Sequence, residues 1–244
     1  MVRNEGFYLR KWADYYVQFF PQEDMYIMDH LSDDGSVQEV KAKYPGVRVA
    51  RLEGYNFFDD VYKVSNINQL QGSLLERYEN VVYTDCDELL WVETGLDKFL
   101  ETNTTPHVKC DGYELIQKIA EEPALDVNQP ILSQRRYWEP SGFWYSKSLI
   151  VREPLVYSPG LHLTTPMVEA RNKAVKLIHI HKCDYGLAFQ KNLNNQKIPR
   201  VKTHDMGGHA FINDPVEFRA HFFSDSSQAG LKPIPQAILD SRLF

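Results

Sequence analysis

Three carboxylates stand within four residues, at Asp85, Asp87 and Glu88. The apolar run 81–83 precedes them and the run 89–91 follows them, which predicts a buried strand rather than a solvated loop. In an extended chain, residues i and i+2 point the same way, so Asp85 and Asp87 are expected to converge. Converging carboxylates repel each other, and a divalent cation with phosphate oxygens as further ligands relieves the repulsion. The spacing therefore predicts a Mg²⁺ or Mn²⁺ site, although a chain with 33 acidic residues also contains such triplets by chance.

Two histidines, His179 and His181, end the apolar run that begins at residue 174. Alternation places both on one face of a strand, and Cys183 would join them if the strand continued. A neutral imidazole is a ligand for Mn²⁺ or Zn²⁺, and a protonated one pairs with phosphate. His181 is therefore a candidate metal ligand. The alternative is a histidine that bonds to a backbone carbonyl beneath the next helix.

The elements that must position these residues alternate between strand and helix through the first ninety residues. The patterns predict helices over 8–19, 36–44 and 58–78, and strands over 25–28 and 47–52, before the acidic strand. This alternation predicts a parallel sheet with right-handed crossovers. Its strand ends are expected to gather a polar rim that comprises Asn4, Glu5, Asp29, Ser32, Asp33, Asp85 and Asp87. Neither a dinucleotide-binding nor a P-loop glycine motif is present.

The second half of the chain has a different pattern. Short strands over 110–119, 146–152, 155–157 and 174–180 predict a smaller mixed sheet, with helices over 185–195 and near 216–222. Arg135, Arg136, Trp138 and Trp144 fall in an expected loop. That loop could clamp a phosphate or stack a sugar ring, or it could be a surface loop with buried tryptophans.

Composition limits the class of protein. A chain of 244 residues is typical of one domain, and its net charge of −6 argues against a nucleic-acid partner. No apolar run approaches the roughly 18 residues of a membrane span. Three cysteines without framework spacing, and charged residues directly after Met1, favour a cytoplasmic location.

Five segments, taken in order, resemble the family-2-like glycosyltransferases of the GT-A fold. They are VRNE (2–5), IMDHLSDD (27–34), YTDCDE (83–88), GLH (160–162) and HIH (179–181). The resemblance implies an α/β fold with a mostly parallel nucleotide-binding sheet flanked by helices, and a smaller mixed sheet. The domain would comprise a nucleotide-sugar half (1–92), an acceptor half (93–200) and a C-terminal extension (201–244).

The resemblance also implies metal-dependent transfer of a sugar from a nucleotide-diphosphate donor, expected to be a UDP-sugar, to a hydroxyl of a glycan or glycoconjugate. Asp29 would lie near the base or ribose, and Asp85 near the ribose or metal. Asp87 would be the principal metal ligand, and His181 a further metal or diphosphate contact. Other expected donor-binding residues are Arg3, Asn4, Glu5, Ser32, Asp33 and Lys147.

The chemistry of such a transfer suggests further roles. Negative charge builds on the leaving diphosphate, where Lys147, Arg135 or Arg136 could add to the cation's effect. If the reaction inverts the anomeric carbon, as we expect, a carboxylate must deprotonate the acceptor. Glu114, Glu139 and Asp184 are the candidates, and the sequence does not choose among them. Two rival classes remain: a metal-dependent nucleotidyltransferase or diphosphate hydrolase, and a non-catalytic sugar-binding domain.

Overall fold

The computed structural model describes residues 1–141, 145–204 and 212–241. The helices in these ranges are α1 (Gly6–Tyr16), α2 (Ser36–Lys43), α3 (Asp60–Leu75), α4 (Leu96–Thr102), α5 (Tyr185–Gln196), α6 (Pro215–Phe222), α7 (Asp225–Gly230) and α8 (Gln236–Asp240). The strands are β1 (Tyr26–Asp29), β2 (Arg48–Arg51), β3 (Val81–Val82), β4 (Glu88–Val92), β5 (His107–Leu115), β6 (Tyr137–Pro140), β7 (Ser148–Val151), β8 (Val156–Tyr157), β9 (Thr164–Thr165), β10 (Arg171–His179) and β11 (Lys232–Pro233). The chain is thus α/β, as the sequence predicts. Helices α4, α7 and α8 are not predicted from the sequence.

The strands form one large mixed sheet and two small ones. Strands β11, β6, β5, β10 and β4 lie side by side in that order, and β7 pairs with both β5 and β3. Within this seven-stranded sheet, β5 and β10 are parallel, whereas the other pairs are antiparallel. Strands β1 and β2 form a separate parallel pair, and β8 and β9 an antiparallel one.

The prediction of a mostly parallel nucleotide-binding sheet is therefore wrong. The strand–helix alternation is present in the first half, but β3 and β4 take their partners from the second half of the chain. Alternation along a sequence predicts elements; it does not decide which distant strand pairs with which.

The acidic stretch is also not one continuous strand. Strand β3 ends at Val82 and β4 begins at Glu88, with a turn between them. The backbone N–H of Glu88 donates to the carbonyl of Asp85 at 3.1 Å. The backbone N–H of Asp85 donates to the Glu88 carboxylate at 3.1 Å. These two bonds close the turn, so the alternation expected for Asp85 and Asp87 does not apply.

Helix α1 holds this turn in place through its aromatic face. Its residues Tyr8, Leu9, Tyr15 and Tyr16 are buried. The hydroxyl of Tyr15 donates to the carbonyl of Leu90 at 2.6 Å, and the hydroxyl of Tyr16 accepts from the N–H of Leu90 at 3.0 Å. The same Tyr16 hydroxyl donates to the carbonyl of Glu88 at 3.1 Å. Strand β4, which directly follows the acidic turn, is thereby fixed on one side by α1 and on the other by β10.

The expected basic and aromatic loop is partly strand and partly core. Trp138 lies in β6, is buried, and stacks on Tyr113 with ring centroids 4.0 Å apart. Arg135 is fully buried, whereas Arg136 is exposed. Trp144 lies outside the described residues. The prediction of a loop is therefore wrong for Trp138.

One hydrophobic cluster joins the two halves of the chain, and includes Leu9, Leu90, Leu149, Ile178 and Ile238. None of the helices in the described ranges has the length and apolar composition needed to cross a membrane.

Candidate functional site

The end of β10 brings two histidines to the acidic turn. Strand β10 pairs antiparallel with β4, so that His179 lies opposite Glu88. The N–H of Ile180 donates to the carbonyl of Asp87 at 2.8 Å and ties the residue before His181 to the turn. As a result, ligand atoms of Asp87, His179 and His181 lie within 4.8 Å of one another. This group, which we call the Asp–His–His cluster, could hold a divalent metal ion.

The donor set narrows the choice of metal. One carboxylate and two imidazoles suit Mn²⁺, Fe²⁺ or Zn²⁺ better than Mg²⁺, which prefers oxygen ligands. Three protein ligands leave further coordination positions for a substrate or water. Asp87 and His181, predicted as ligands, both belong to the cluster. His179, the neighbour of His181 on the strand face, also belongs to the cluster, whereas Cys183 is buried outside it.

Asp85 faces a different set of partners, formed by two lysines. Its Oδ1 lies 2.8 Å from Nζ of Lys63 and accepts from the Tyr83 hydroxyl at 2.7 Å. Its Oδ2 lies 3.3 Å from Nζ of Lys147, which also reaches Oε1 of Glu88 at 2.5 Å. Asp85 therefore does not converge with Asp87 as expected, and its predicted role as a metal ligand stays a prediction. The turn instead directs Asp85 to the lysines and Asp87 to the histidines.

The lysines determine the charge state of Asp85. Burial alone would raise its pKa, but the ammonium groups of Lys63 and Lys147 hold it well below the ordinary range. Asp85 is therefore ionised. Against the effect of burial, Asp85 raises the pKa of Lys63, and Glu88 followed by Asp85 raises the pKa of Lys147, so both lysines are charged. Lys147, predicted from the sequence, thus lies at the acidic turn. The two ammonium groups thus lie at the acidic turn, paired with Asp85 and Glu88.

The two histidines have opposite charge states. Nδ1 of His179 lies 2.9 Å from Oε2 of Glu114, and its Nε2 lies 3.2 Å from Oδ2 of Asp87. Burial disfavours a charged ring, but these two carboxylates outweigh it and raise the pKa of His179 to about 10. Burial, followed by the nearby Lys191 ammonium, lowers the pKa of His181 to about 3. His179 is therefore protonated and His181 neutral near pH 7.

Glu114 supports His179 rather than standing open to a substrate. It is buried, and its second oxygen accepts from the backbone N–H of Lys182 at 3.3 Å. Burial would raise its pKa, but the charged ring of His179 lowers it to about 2. Carboxylates that bond the distal nitrogen of a ligating histidine fix the orientation of its ring. The ring of Tyr145 stacks on His179 at 4.4 Å and restricts it further.

The other two candidate bases have contrasting environments. Asp184 caps α5 by accepting from the N–H of Leu187 at 3.0 Å, and it also accepts from the N–H of Leu125 at 2.8 Å. Arg135 lies 3.2 Å from the same carboxylate and also donates to the carbonyl of Cys183. The Arg135 guanidinium and the Asp184 carboxylate thus both have further hydrogen-bond partners within the fold. Glu139 is exposed and lies directly opposite Glu114 in the pairing of β5 with β6.

The predicted donor-binding residues near the beginning of the chain form a second polar group. Asp29 is buried, accepts from the N–H of Ser32 at 2.8 Å and lies 3.2 Å from Arg51. The Ser32 hydroxyl accepts from the N–H of Asn4 at 3.2 Å. Asn4, at φ 56°, donates from its amide to Asp33 at 2.7 Å and accepts from the N–H of Asp33 at 2.8 Å. These bonds tie the segment 3–5 to the end of β1.

This second group connects to the Asp–His–His cluster through one lysine. Arg3 donates to the carbonyl of Asn56 at 3.4 Å. The next charged residue, Glu5, has its Oε2 2.8 Å from Nζ of Lys191, and that same Nζ lies 2.8 Å from Oδ2 of Asp87. Lys63 and Lys191 were not predicted from the sequence. The sequence around these two lysines is no different from that around the other basic residues. They reach the site only because α3 and α5 pack beside it.

Neither a protein-family model nor a curated protein matches this chain.

Proposed function

We propose that this protein is a metal-dependent glycosyltransferase that moves a sugar from a nucleotide-diphosphate donor to a hydroxyl acceptor on a glycan or glycoconjugate. One observation carries the proposal: a single acidic turn adjoins both the Asp–His–His cluster and the lysine pair around Asp85. A diphosphate suits such a place, because its oxygens can bind the cation and also accept hydrogen bonds from the ammonium groups that Asp85 and Glu88 hold there.

The lysine pair also favours this proposal over a different function for the same ligands. Two histidines and one carboxylate are equally the ligand set of non-haem iron oxygenases. Lys63 and Lys147, which are both largely buried, favour a phosphorylated substrate.

Different residues of the site would have different roles in the transfer of the sugar. A cation on the Asp–His–His cluster, Mn²⁺ in preference to Mg²⁺, would act as a Lewis acid for the leaving diphosphate. Lys63 and Lys147 would donate to its oxygens as negative charge develops. Asp29 and its bonded neighbours Ser32 and Asn4 would contact the ribose or base, with UDP as the expected nucleoside diphosphate.

We propose Glu139 as the base that deprotonates the acceptor in an inverting reaction. Side chains directly opposite each other on paired strands lie on one face of a sheet, about 5 Å apart. Glu139 therefore lies on the face where Glu114 contacts His179, yet it is exposed. Glu114 and Asp184 are already engaged by structural partners. We also propose a cytoplasmic location, since the three cysteines are free and buried.

Calorimetry with UDP and UDP-sugars, with and without Mn²⁺, tests the proposal. We expect binding only with Mn²⁺, and we expect Asp87→Asn to remove it because the change deletes the charge that offsets the cation. Asp97→Asn, at an exposed position in α4, is the matched control and should bind as the parent does. Binding by folded Asp87→Asn that equals that of the control would contradict the assignment.

Product analysis separates the rival classes. A glycosyltransferase releases intact UDP when an acceptor is supplied. A hydrolase or nucleotidyltransferase would instead release sugar phosphate or inorganic phosphate, and a sugar-binding domain would bind without metal and release nothing.

A further inference from the structure

Lys191 occupies a central position among the acidic groups of the site. Its Nζ lies 2.8 Å from both Oδ2 of Asp87 and Oε2 of Glu5, and 4.5 Å from the ring centre of Tyr8. Only 11% of its side chain is exposed. Tyr8 in turn donates to the carbonyl of His181 at 2.9 Å. The ammonium group is thus packed against the Asp–His–His cluster.

Lys191 and a divalent cation compete for the same carboxylate. Asp87 is the only acid of the cluster, and its Oδ2 already contacts both Lys191 and His179. A cation that binds Asp87 brings two further positive charges beside the ammonium group, and the repulsion is strong in a buried site. Lys191 must then weaken its contact with Asp87.

Glu5 and the length of the lysine side chain allow that change. Glu5 already contacts the ammonium group, so Lys191 would not be left as an unpaired buried charge when Asp87 turns to the cation. The backbone of α5 stays in place because Asp184 caps its first turn. Lysine carries a compact charge on a flexible stem, which lets the ammonium group move without the helix.

We propose that Lys191 changes partners during the binding cycle: it neutralises Asp87 before the cation binds, and it binds a phosphate oxygen of the metal-bound diphosphate afterwards. The second half of the proposal rests on the proposed function, because it assigns a diphosphate to this site. The first half does not, since it concerns the metal ion alone.

Two titrations of Lys191→Met test the two halves separately. With Mn²⁺ alone, the variant should bind at least about tenfold more tightly than the parent, because the competing charge is gone. At saturating Mn²⁺, the variant should bind UDP and inorganic pyrophosphate about 10- to 100-fold more weakly, because a charge-assisted bond to phosphate is lost. Lys197→Met, at an exposed position just after α5, is the control and should show neither change.

The outcomes distinguish the proposal from a structural role. A lysine that only holds α5 against the sheet would leave diphosphate binding at saturating Mn²⁺ unchanged in the folded protein, and this result would overturn the proposal. Unchanged Mn²⁺ affinity would overturn it as well. Lys191→Gln, which keeps a bonding group without the charge, gives the same two measurements if the Met variant does not fold. Loss of pyrophosphate binding without any sugar transfer by the parent would support Lys191 as a phosphate ligand and count against the glycosyltransferase assignment.

Discussion

Binding of Mn²⁺ to the Asp–His–His cluster should release about one proton. Before the ion binds, Asp87 is ionised: burial would raise its pKa, but Lys191 and His179 hold it well below the ordinary range. His181 is neutral, since burial and Lys191 lower its pKa to about 3. His179 carries the only exchangeable proton of the cluster, because Glu114 and Asp87 raise its pKa to about 10 against the effect of burial.

The number of protons determines the size of the pH effect. A ligating nitrogen must be deprotonated, so the cation displaces the proton of His179 and none from the other two ligands. Affinity therefore falls as the pH falls, because the proton competes with the cation. Between roughly pH 5 and 9, the apparent affinity should rise about tenfold per pH unit, which corresponds to about 1.4 kcal/mol.

Calorimetry in several buffers measures the proton directly. The heat of Mn²⁺ binding at pH 7 should depend linearly on the ionisation enthalpy of the buffer, with a slope near one released proton. Glu114→Gln is the matched variant: it removes one of the two carboxylates that hold the proton on His179, so its slope should begin to fall at a lower pH than that of the parent.

A slope of zero in the parent protein, together with tight Mn²⁺ binding, would refute the reasoning. It would mean that His179 keeps its proton and that the ion is bound elsewhere, with Asp85 as the nearest alternative.

Two further predictions concern stability. Tyr16→Phe should lower the free energy of unfolding by about 1–3 kcal/mol, because it leaves the N–H of Leu90 and the carbonyl of Glu88 without their hydroxyl partner in a buried site. Urea denaturation at constant pH measures this, and a difference below about 0.5 kcal/mol would contradict it. Arg135→Met should cost about 3–5 kcal/mol, because Asp184 loses its buried counter-charge. The folded fraction of Arg135→Met should still bind UDP like the parent, and a loss of that binding would instead favour a phosphate-clamping role for Arg135.

The elements of the fold were more predictable than their arrangement. Helix α5 starts at Tyr185 as predicted, and α2 starts at Ser36, because apolar spacing and helix breakers act locally. The prediction of a mostly parallel sheet is wrong because β10 lies between β5 and β4, and the local sequence pattern cannot predict this pairing of distant strands. The sequence pattern also does not show the break between β3 and β4, since the apolar runs on both sides of the acidic residues are typical of one continuous strand.

In the candidate site, too, individual residues are predictable from the sequence, whereas their contacts are not. Asp87 and His181 carry recognisable patterns, and the structure brings them together. The contact of His179 with Glu114 depends on the parallel register of β10 with β5, in which these two residues are paired. The positions of Lys63 and Lys191 depend on how α3 and α5 dock. Tertiary packing determines the positions of these side chains, and the type of a residue does not predict them.

The long sequence separations within the site have a consequence for protein synthesis. The bond from Tyr8 to His181 spans 173 positions, and the pair of Lys191 with Asp87 spans 104. Contacts of this kind form late, because the loops that they close are long. A nascent chain cannot complete the Asp–His–His cluster, or place its neutralising lysine, until α5 has left the ribosome. Assembly of the cluster and of its lysine partner therefore depends on the docking of β10 and α5 against segments that are synthesised much earlier.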